Sequence, residues 1–449
     1  MQLRSDTIVA PGTVPGRSAI AVLRLSGADA HVLGRRVCAR WPVEARSAVR
    51  TLVMDPETER PIDDAIVTRF DAPRSYTGEP IVEFSCHGGL SVVRDLMAVM
   101  VHLGARPADP GEFTQRAVLN GKMDLLQAEA IADLVDATTT THRQIALAQL
   151  HGGLSALVQE LREAMLDIEA LLAYDVDFPE EDDGPVARVR IADAARHAAD
   201  RITALVATVP LGEVARDGAL VVLAGEPNTG KSSLFNALLG TERAIVTEIA
   251  GTTRDAIEAR VDRPAWPIRL VDTAGLRETE DQLERLGIEV SERHIANAHL
   301  VLVCGETAEE LDRALAHVRA RTSAPAIRVA TKADRHDTKP LDGADVHVSA
   351  TTCTGLDRLL LLMDQQLGNT LGSVPIDGVL VTRARQQAGL EAARRELAEF
   401  VQVWEAADLP ATIAAVHIRT AVTCLDALIG SVDIEDVLER VFRTFCVGK

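Results

Sequence analysis

The sequence predicts an α/β unit inserted into an α-helical bundle, with a small α+β domain ahead of both. Three observations carry this. A glycine-rich loop, Gly225-Glu226-Pro227-Asn228-Thr229-Gly230-Lys231-Ser232, lies between a short apolar run of buried-strand length and a helical run that stops at Gly240. Apolar strands and helices then alternate over 217–370, as a layered and largely parallel sheet requires. On either side the apolar spacing is three and four, which is helical.

Taken in order, Ile20–Leu25, Asp64–Phe70 and Ile81–Cys86 read as strands and Leu90–Leu103 as a helix, which makes 1–120 an α+β domain. Arg24 and Glu83 interrupt two of these strands. By pattern alone each reads as an outward-facing residue. Asp124–Ala137 is amphipathic. Leu147, Leu150, Leu154, Leu157, Leu161, Met165, Ile168 and Leu172 form one apolar face of a long helix, or of a helix pair interrupted at Gly152-Gly153. The acidic stretch Asp175–Asp183 reads as a solvated connection and Val186–Val206 as a further helix, so 121–215 is the first part of a helical domain. Strands are expected at Leu220–Ala224, Ile257–Val261, Ile268–Val271, Leu300–Cys304, Ala326–Ala330 and Val346–Val348, within 216–370. Thr382–Trp404 and Ile413–Ile429 are helical, and 371–449 is expected to pack with 121–215 as one bundle, the α/β unit being the insertion.

The 449 residues suggest about three domains at ~150 each. A formal charge of −19, from 66 acidic and 47 basic residues, excludes nucleic-acid binding over the whole surface. No basic run marks a local patch. The six cysteines are scattered without a C-x-x-C pair, which excludes a disulfide framework or a cysteine zinc site. The start of the chain lacks the apolar core of a secretory signal, and no apolar run reads as long enough to span a bilayer. The expectation is a cytoplasmic protein with no membrane partner.

The glycine-rich loop has the form G-x-x-x-x-G-K-S. Strand, glycine turn and helix N-terminus aim successive N–H groups at one spot, which attracts phosphate. Lys231 adds positive charge at the outer phosphates and the Ser232 hydroxyl is a magnesium ligand. Three further motifs follow in order. Gly251-Thr252-Thr253-Arg254-Asp255 places Thr253 to complete the magnesium shell. Asp272-Thr273-Ala274-Gly275 follows a strand, so Asp272 can hold magnesium through water and the Gly275 N–H can reach the γ-phosphate. Thr331-Lys332-Ala333-Asp334 follows another strand, and a carboxylate there accepts from the two donors on one edge of guanine, which adenine lacks. Ser349-Ala350-Thr351 fits a backbone contact to the base. Together these predict a Ras-like P-loop GTPase domain binding GTP and Mg2+, and disfavour an ATPase. Two departures stand out. Leu276 occupies the position of the glutamine that orients water in Ras-like enzymes, and Thr331 replaces the usual asparagine, with some loss of bracing expected.

The chain as a whole resembles the MnmE (TrmE) family of tRNA-modification GTPases. The resemblance runs through Asp6-Thr7-Ile8-Val9-Ala10, Thr77-Gly78-Glu79, His87-Gly88-Gly89, Arg106-Pro107, Pro110-Gly111-Glu112-Phe113, Leu119-Asn120-Gly121-Lys122, Asp177-Phe178-Pro179, the GTPase motifs, and the ending Phe445-Cys446-Val447-Gly448-Lys449. It implies a homodimer that joins an FAD-binding MnmG subunit in a heterotetramer, acting on the wobble uridine of tRNA. It also implies a 5-formyltetrahydrofolate or related tetrahydrofolate held in the N-terminal domain by Arg24, Glu83, Lys122 and Lys449. Hydrolysis would be activated by K+ bound to Asn228, Thr247, Ile249 and Thr252, with Glu284 taking over from the missing glutamine. The nucleotide contacts so implied are Asn228, Thr229, Gly230, Lys231, Ser232 and Ser233; Thr247, Glu248, Ile249, Ala250, Gly251, Thr252 and Thr253; Asp272, Thr273, Ala274 and Gly275; Thr331, Lys332 and Asp334; and Ser349 with Ala350. By periodicity alone Glu284 reads as a solvent-facing helix residue. The alternative function is a regulatory GTPase of the ribosome-assembly type, which needs neither the first 120 residues nor the terminal lysine.

Overall fold

A computed structural model describes residues 6–177, 187–241, 244–245, 257–261, 263, 266–272, 290–335, 341–372, 379–406, 410–430, 441–442, 445 and 448. The chain forms two compact units, Met1–Ala132 with Val422–Lys449, and Asp133–Ala421.

In the first unit, β1 (Ile8–Pro11), β2 (Ile20–Ser26), β3 (Val49–Met54), β4 (Pro61–Phe70), β5 (Ile81–His87) and β6 (Arg106–Pro107) make a sheet in the order β3-β4-β5-β2-β1-β6. Neighbours are antiparallel except β1 and β6. Strand alternation sends Leu23, Leu25, Val67, Val82 and Phe84 to one face, where α1 (Ala30–Val37) and α2 (Leu90–His102) cover them. Sequence reading did not find β1, α1, β3 or β6. The first and last are too short for a period, and β3 turns Arg50 and Leu52 outward, which leaves a weak apolar pattern.

Much of the family motif set meets in one charged network in this unit. Arg116, 6% exposed, donates to Asp6 Oδ1 at 2.7 Å, to Glu112 Oε1 at 2.9 Å and to Glu79 at 3.3 Å. Arg106 reaches the other side of Asp6 at 2.8 Å and shares Glu112 at 2.5 Å. Ser26 donates to Glu79 at 2.7 Å, and Asn120 to Thr77 O at 2.7 Å. Burial by itself would raise the Asp6 and Glu112 carboxyls. The arginine hydrogen bonds outweigh it and hold both below the usual range. Val441, Phe442 and Phe445 pack on Leu125 and Ala128 of α4 (Leu125–Asp136).

The second unit opens with α5 (Thr140–Leu150), α6 (Gly153–Asp177), α7 (Arg188–Val206) and α8 (Val209–Asp217), so the apolar face anticipated over 147–172 is a helix pair. Its sheet contains β7 (Ala219–Ala224), β8 (Ala244–Ile245), β9 (Ile257–Val261), β10 (Ile268–Asp272), β11 (Leu300–Gly305), β12 (Ala326–Ala330) and β13 (Val346–His347). The order is β13-β12-β11-β7-β10-β9-β8, parallel apart from β8 and β9. The helices of this region include α9 (Lys231–Thr241), α10 (Ala308–Arg319) and α11 (Leu356–Leu371), and residues 290–296 are also helical; α12 (Ala384–Ala406) and α13 (Ala411–Ile429) follow. Helix α7 packs against α6 from before the α/β region and α12 from after it. Trp404 of α12 donates to Arg188 O at 3.0 Å, and the Arg188 guanidinium lies 3.9 Å from its ring centroid. The α/β P-loop domain is therefore an insertion in a helical bundle.

An extended strap, 379–383, joins the two parts of this unit. Gln149 donates to Leu380 O at 2.8 Å, Val381 N to the Thr208 hydroxyl at 3.0 Å, and Arg216 to Thr382 O at 2.8 Å; Arg383 pairs with Asp133 at 2.6 Å. Helix α13 corrects one expectation. Its 19 residues, with mean hydropathy 1.4, are long and apolar enough to cross a bilayer. Ala414, Ile418, Ala421 and Leu425 are buried on its inner side, while Arg419 pairs with Glu169 at 2.6 Å. Among the described residues no cysteine is in a disulfide; Cys86 and Cys304 are buried and Cys353 is exposed.

Candidate nucleotide-binding site

Strand β7 is buried along its whole length, and the glycine-rich loop leaves its end directly for α9. Gly225 has φ +153, and a Cβ there would come within 2.3 Å of Cys304 O, so the turn admits only glycine. Asn228 holds φ +66, a left-handed conformation uncommon outside glycine. Lys231 is buried, and its ammonium donates to Glu226 O at 2.6 Å across the loop. Thr229 is also buried and donates to the same carbonyl at 2.8 Å. Ser232 and Ser233 are exposed at the start of α9. Asp272 ends β10, in register with Leu223 of β7, and is 1% exposed.

The residues expected to face the base lie at the ends of β12 and β13. The Thr331 hydroxyl donates to Thr229 O at 2.6 Å and lies 3.3 Å from Gly305 O. The short threonine side chain still braces the loop, because β12 passes close enough for it to reach. Lys332, at φ +53, donates to Asn228 O at 2.8 Å and pairs with Glu306. Asp334 sits on the turn Ala333–Arg335, and Ser349 donates to its Oδ1 at 2.7 Å. Ser349 thus orients the carboxylate through its side chain. A cavity of about 110 Å³ is lined by Gly230, Ser233, Thr331, Lys332, Asp334 and Ala350, among others. Glu306, which fastens Lys332 over the loop, was not anticipated; its signal is its place just past the end of β11. The nearby Cys304 thiol is pushed up to about 12 by burial and stays protonated.

Thr247, Glu248, Ile249, Ala250, Gly251, Thr252, Thr253, Thr273, Ala274, Gly275, Glu284, Cys446 and Lys449 lie outside the described residues.

In the first unit Arg24 and Glu83 are cross-strand partners, joined at 2.8 and 2.7 Å. The Arg24 guanidinium lies 5.4 Å from the Tyr76 ring and 5.7 Å from that of Phe113. The outward-facing reading of both residues therefore covers only their strand direction. Lys122 is held elsewhere, donating to Pro73 O at 2.9 Å, with its stem against Gly78. Gly448 lies against Pro11, and the neighbouring Ala10 is the register partner of Arg24.

A phosphate loop, a buried acidic strand end and a carboxylate-bearing base pocket, in this order on a mostly parallel sheet, define a P-loop GTPase. The family model described as "MnmE helical domain" matches residues 125–446, and "GTP-binding protein TrmE N-terminus" matches 7–122. The tRNA modification GTPase MnmE of Aquifex aeolicus is 38% identical over 454 residues, covering 99% of this chain and 100% of that one. That of Laribacter hongkongensis is 39% identical over 459 residues, covering 100% of each. That of Methylobacterium radiotolerans is 41% identical over 453 residues, covering 99% of each. The chain belongs to the MnmE family of tRNA modification GTPases. It is a GTP-hydrolysing enzyme of tRNA modification.

Proposed function

We propose that this chain is the GTP-hydrolysing subunit of a complex that adds a carboxymethylaminomethyl group to carbon 5 of the wobble uridine of certain tRNAs. It would work as a homodimer with an FAD-binding MnmG subunit. The observation that carries the nucleotide half is the Asp334 carboxylate, oriented by Ser349, beside a phosphate loop that Thr331 braces.

The described residues of the loop support the phosphate half of this reading. The Gly225 turn leaves no room for a side chain, and the ammonium of Lys231 already points across the loop. Ser232 and Thr253 would hold Mg2+. Asn228, with Thr247, Ile249 and Thr252, would hold K+, which supplies positive charge against the transition state. The protein's own part is to fix the guanine edge with Asp334, draw the outer phosphates toward Lys231, and orient water through Glu284, since Leu276 cannot hydrogen-bond. For the one-carbon carrier, the half-buried Arg24–Glu83 pair supports a tetrahydrofolate reading. A pterin presents the same adjacent pair of N–H donors as guanine, and Glu83 is a carboxylate able to accept them.

Steady-state GTP hydrolysis in potassium against sodium chloride at equal ionic strength tests the cation role. Turnover should rise at least tenfold in potassium. Equal rates would remove the role given to Asn228.

A further inference from the structure

We propose that the outer edge of the first unit's sheet, along β3, is a contact surface for the phosphodiester backbone of the substrate tRNA. This rests on the tRNA-modifying reading above. A chain of charge −19 repels RNA over most of its surface, so any contact needs a local reversal of sign.

The reversal is invisible as a basic run and is assembled by folding. Arg35 and Arg36 stand exposed in the last turn of α1. Cys38 then bridges Val53 of β3, Ala39 N donates to Leu52 O at 2.9 Å, and Arg40 N donates to the Thr51 hydroxyl at 2.7 Å. The chain from 38 to 40 therefore runs antiparallel along the free edge of β3. Farther on, Arg46 N donates to Arg69 O and its guanidinium to Arg74 O, both at 2.8 Å, which brings Arg46 and Arg74 together at the end of β4. Arg35, Arg36, Arg40, Arg46 and Arg74 are all exposed. Among the described residues none of these five guanidiniums forms an ion pair. Their neighbours differ: Arg50 pairs with Asp64, and Arg69 with Asp71 at 3.8 Å. From Ala30 to Met54 five arginines face one carboxylate, that of Glu44, and there is no lysine.

Arginine suits this role. Its planar fork of donors matches a phosphate, and a guanidinium without a protein carboxylate need not break an ion pair to bind one. Arginines could also sit on a sheet edge only to block strand addition. Edge protection alone predicts no effect on RNA.

The test uses the full chain and a fluorescently labelled substrate tRNA, with affinity measured from 50 to 300 mM salt. The strip variant carries Arg35→Ala, Arg36→Ala, Arg40→Ala and Arg46→Ala. The control carries Arg394→Ala and Arg395→Ala, two exposed positions on α12. Each phosphate contact contributes about 0.7 to 0.9 to the slope of log affinity against log salt. The strip variant should lower that slope by about 2 to 3 and weaken binding at 100 mM salt at least tenfold. The control should move neither, and GTP hydrolysis without RNA should be unchanged in both. Unaltered tRNA binding by the strip variant, or equal losses in strip and control, would overturn the surface while leaving the tRNA reading intact. Failure of the wild-type chain to bind tRNA, with salt-dependent binding to anionic vesicles instead, would overturn both.

Discussion

At the scale of single residues, the site depends on side chains that orient other side chains. In the proposed site Asp334 would select guanine only with its carboxylate facing the base, and the Ser349 hydroxyl at 2.7 Å fixes one of its oxygens. Asp334→Asn replaces a charged acceptor with an amide that also donates. Charge-assisted hydrogen bonds contribute about 1.5–3 kcal/mol each, so GTP affinity should fall by about 100-fold or more, measured by nucleotide titration. His142 is a different case. It is 4% exposed, and neither ring nitrogen has a hydrogen-bond partner among the described residues. Burial lowers its pKa; Asp133 opposes this, and Arg216 and Arg260 reinforce it. The folded state therefore resists protonation more than the unfolded chain. The stability tied to neutral His142 is complete above the unfolded value near ~6.5 and falls as pH drops from there toward the folded value. His142→Leu should flatten the decline in unfolding midpoint between pH 7 and 5.5, and leave stability at pH 7.5 nearly unchanged.

At the scale of elements, the strap 379–383 and α8 form a close seam within the second unit. Gly212, inside α8, has no room for a methyl: a Cβ would come within 2.0 Å of Val381 O. Gly240, in α9, has nothing within 4 Å of the same position. Both are helical glycines, so intrinsic propensity favours alanine at each by up to ~1 kcal/mol. Packing decides the sign. Gly240→Ala should raise the unfolding midpoint slightly, while Gly212→Ala should lower it, with an overpacking cost of about 1–3 kcal/mol. Thermal unfolding of the two variants side by side checks this.

Elements were legible in the sequence where a period ran long enough. Six of the seven strands of this second unit's sheet fell within a residue or two of their expected limits because buried strands are continuous apolar runs, while the two-residue β8 was not anticipated. Strands β1 and β6 were not, because four and two residues carry no period. The loop, Asp272 and Asp334 stand out in the sequence as candidate site residues because the proposed chemistry demands fixed residue types at strand ends, and the structure places them at such ends. Glu306 and the bracing role of Thr331 depend on how closely β11 and β12 pass the loop, a distance that spacing along the chain does not encode.

At the scale of the molecule, the unit formed by Met1–Ala132 and Val422–Lys449 draws on both ends of the chain. Phe442, 3% exposed, packs with Phe445 against Leu125 and Ala128. Phe442→Ala should cost that unit about 3–5 kcal/mol. The nucleotide site lies in the other unit, so GTP affinity should persist at denaturant concentrations where the first unit has unfolded, followed by parallel fluorescence and nucleotide titrations.

The same arrangement sets a timetable for biosynthesis. Phe442 and Phe445, which cover Leu125 and Ala128, are translated about 310 residues after them. At about 5–20 residues per second the apolar patch on α4 waits tens of seconds for its cover. The first unit is completed only once its distant second segment has been made, and in that interval a chaperone has its opening.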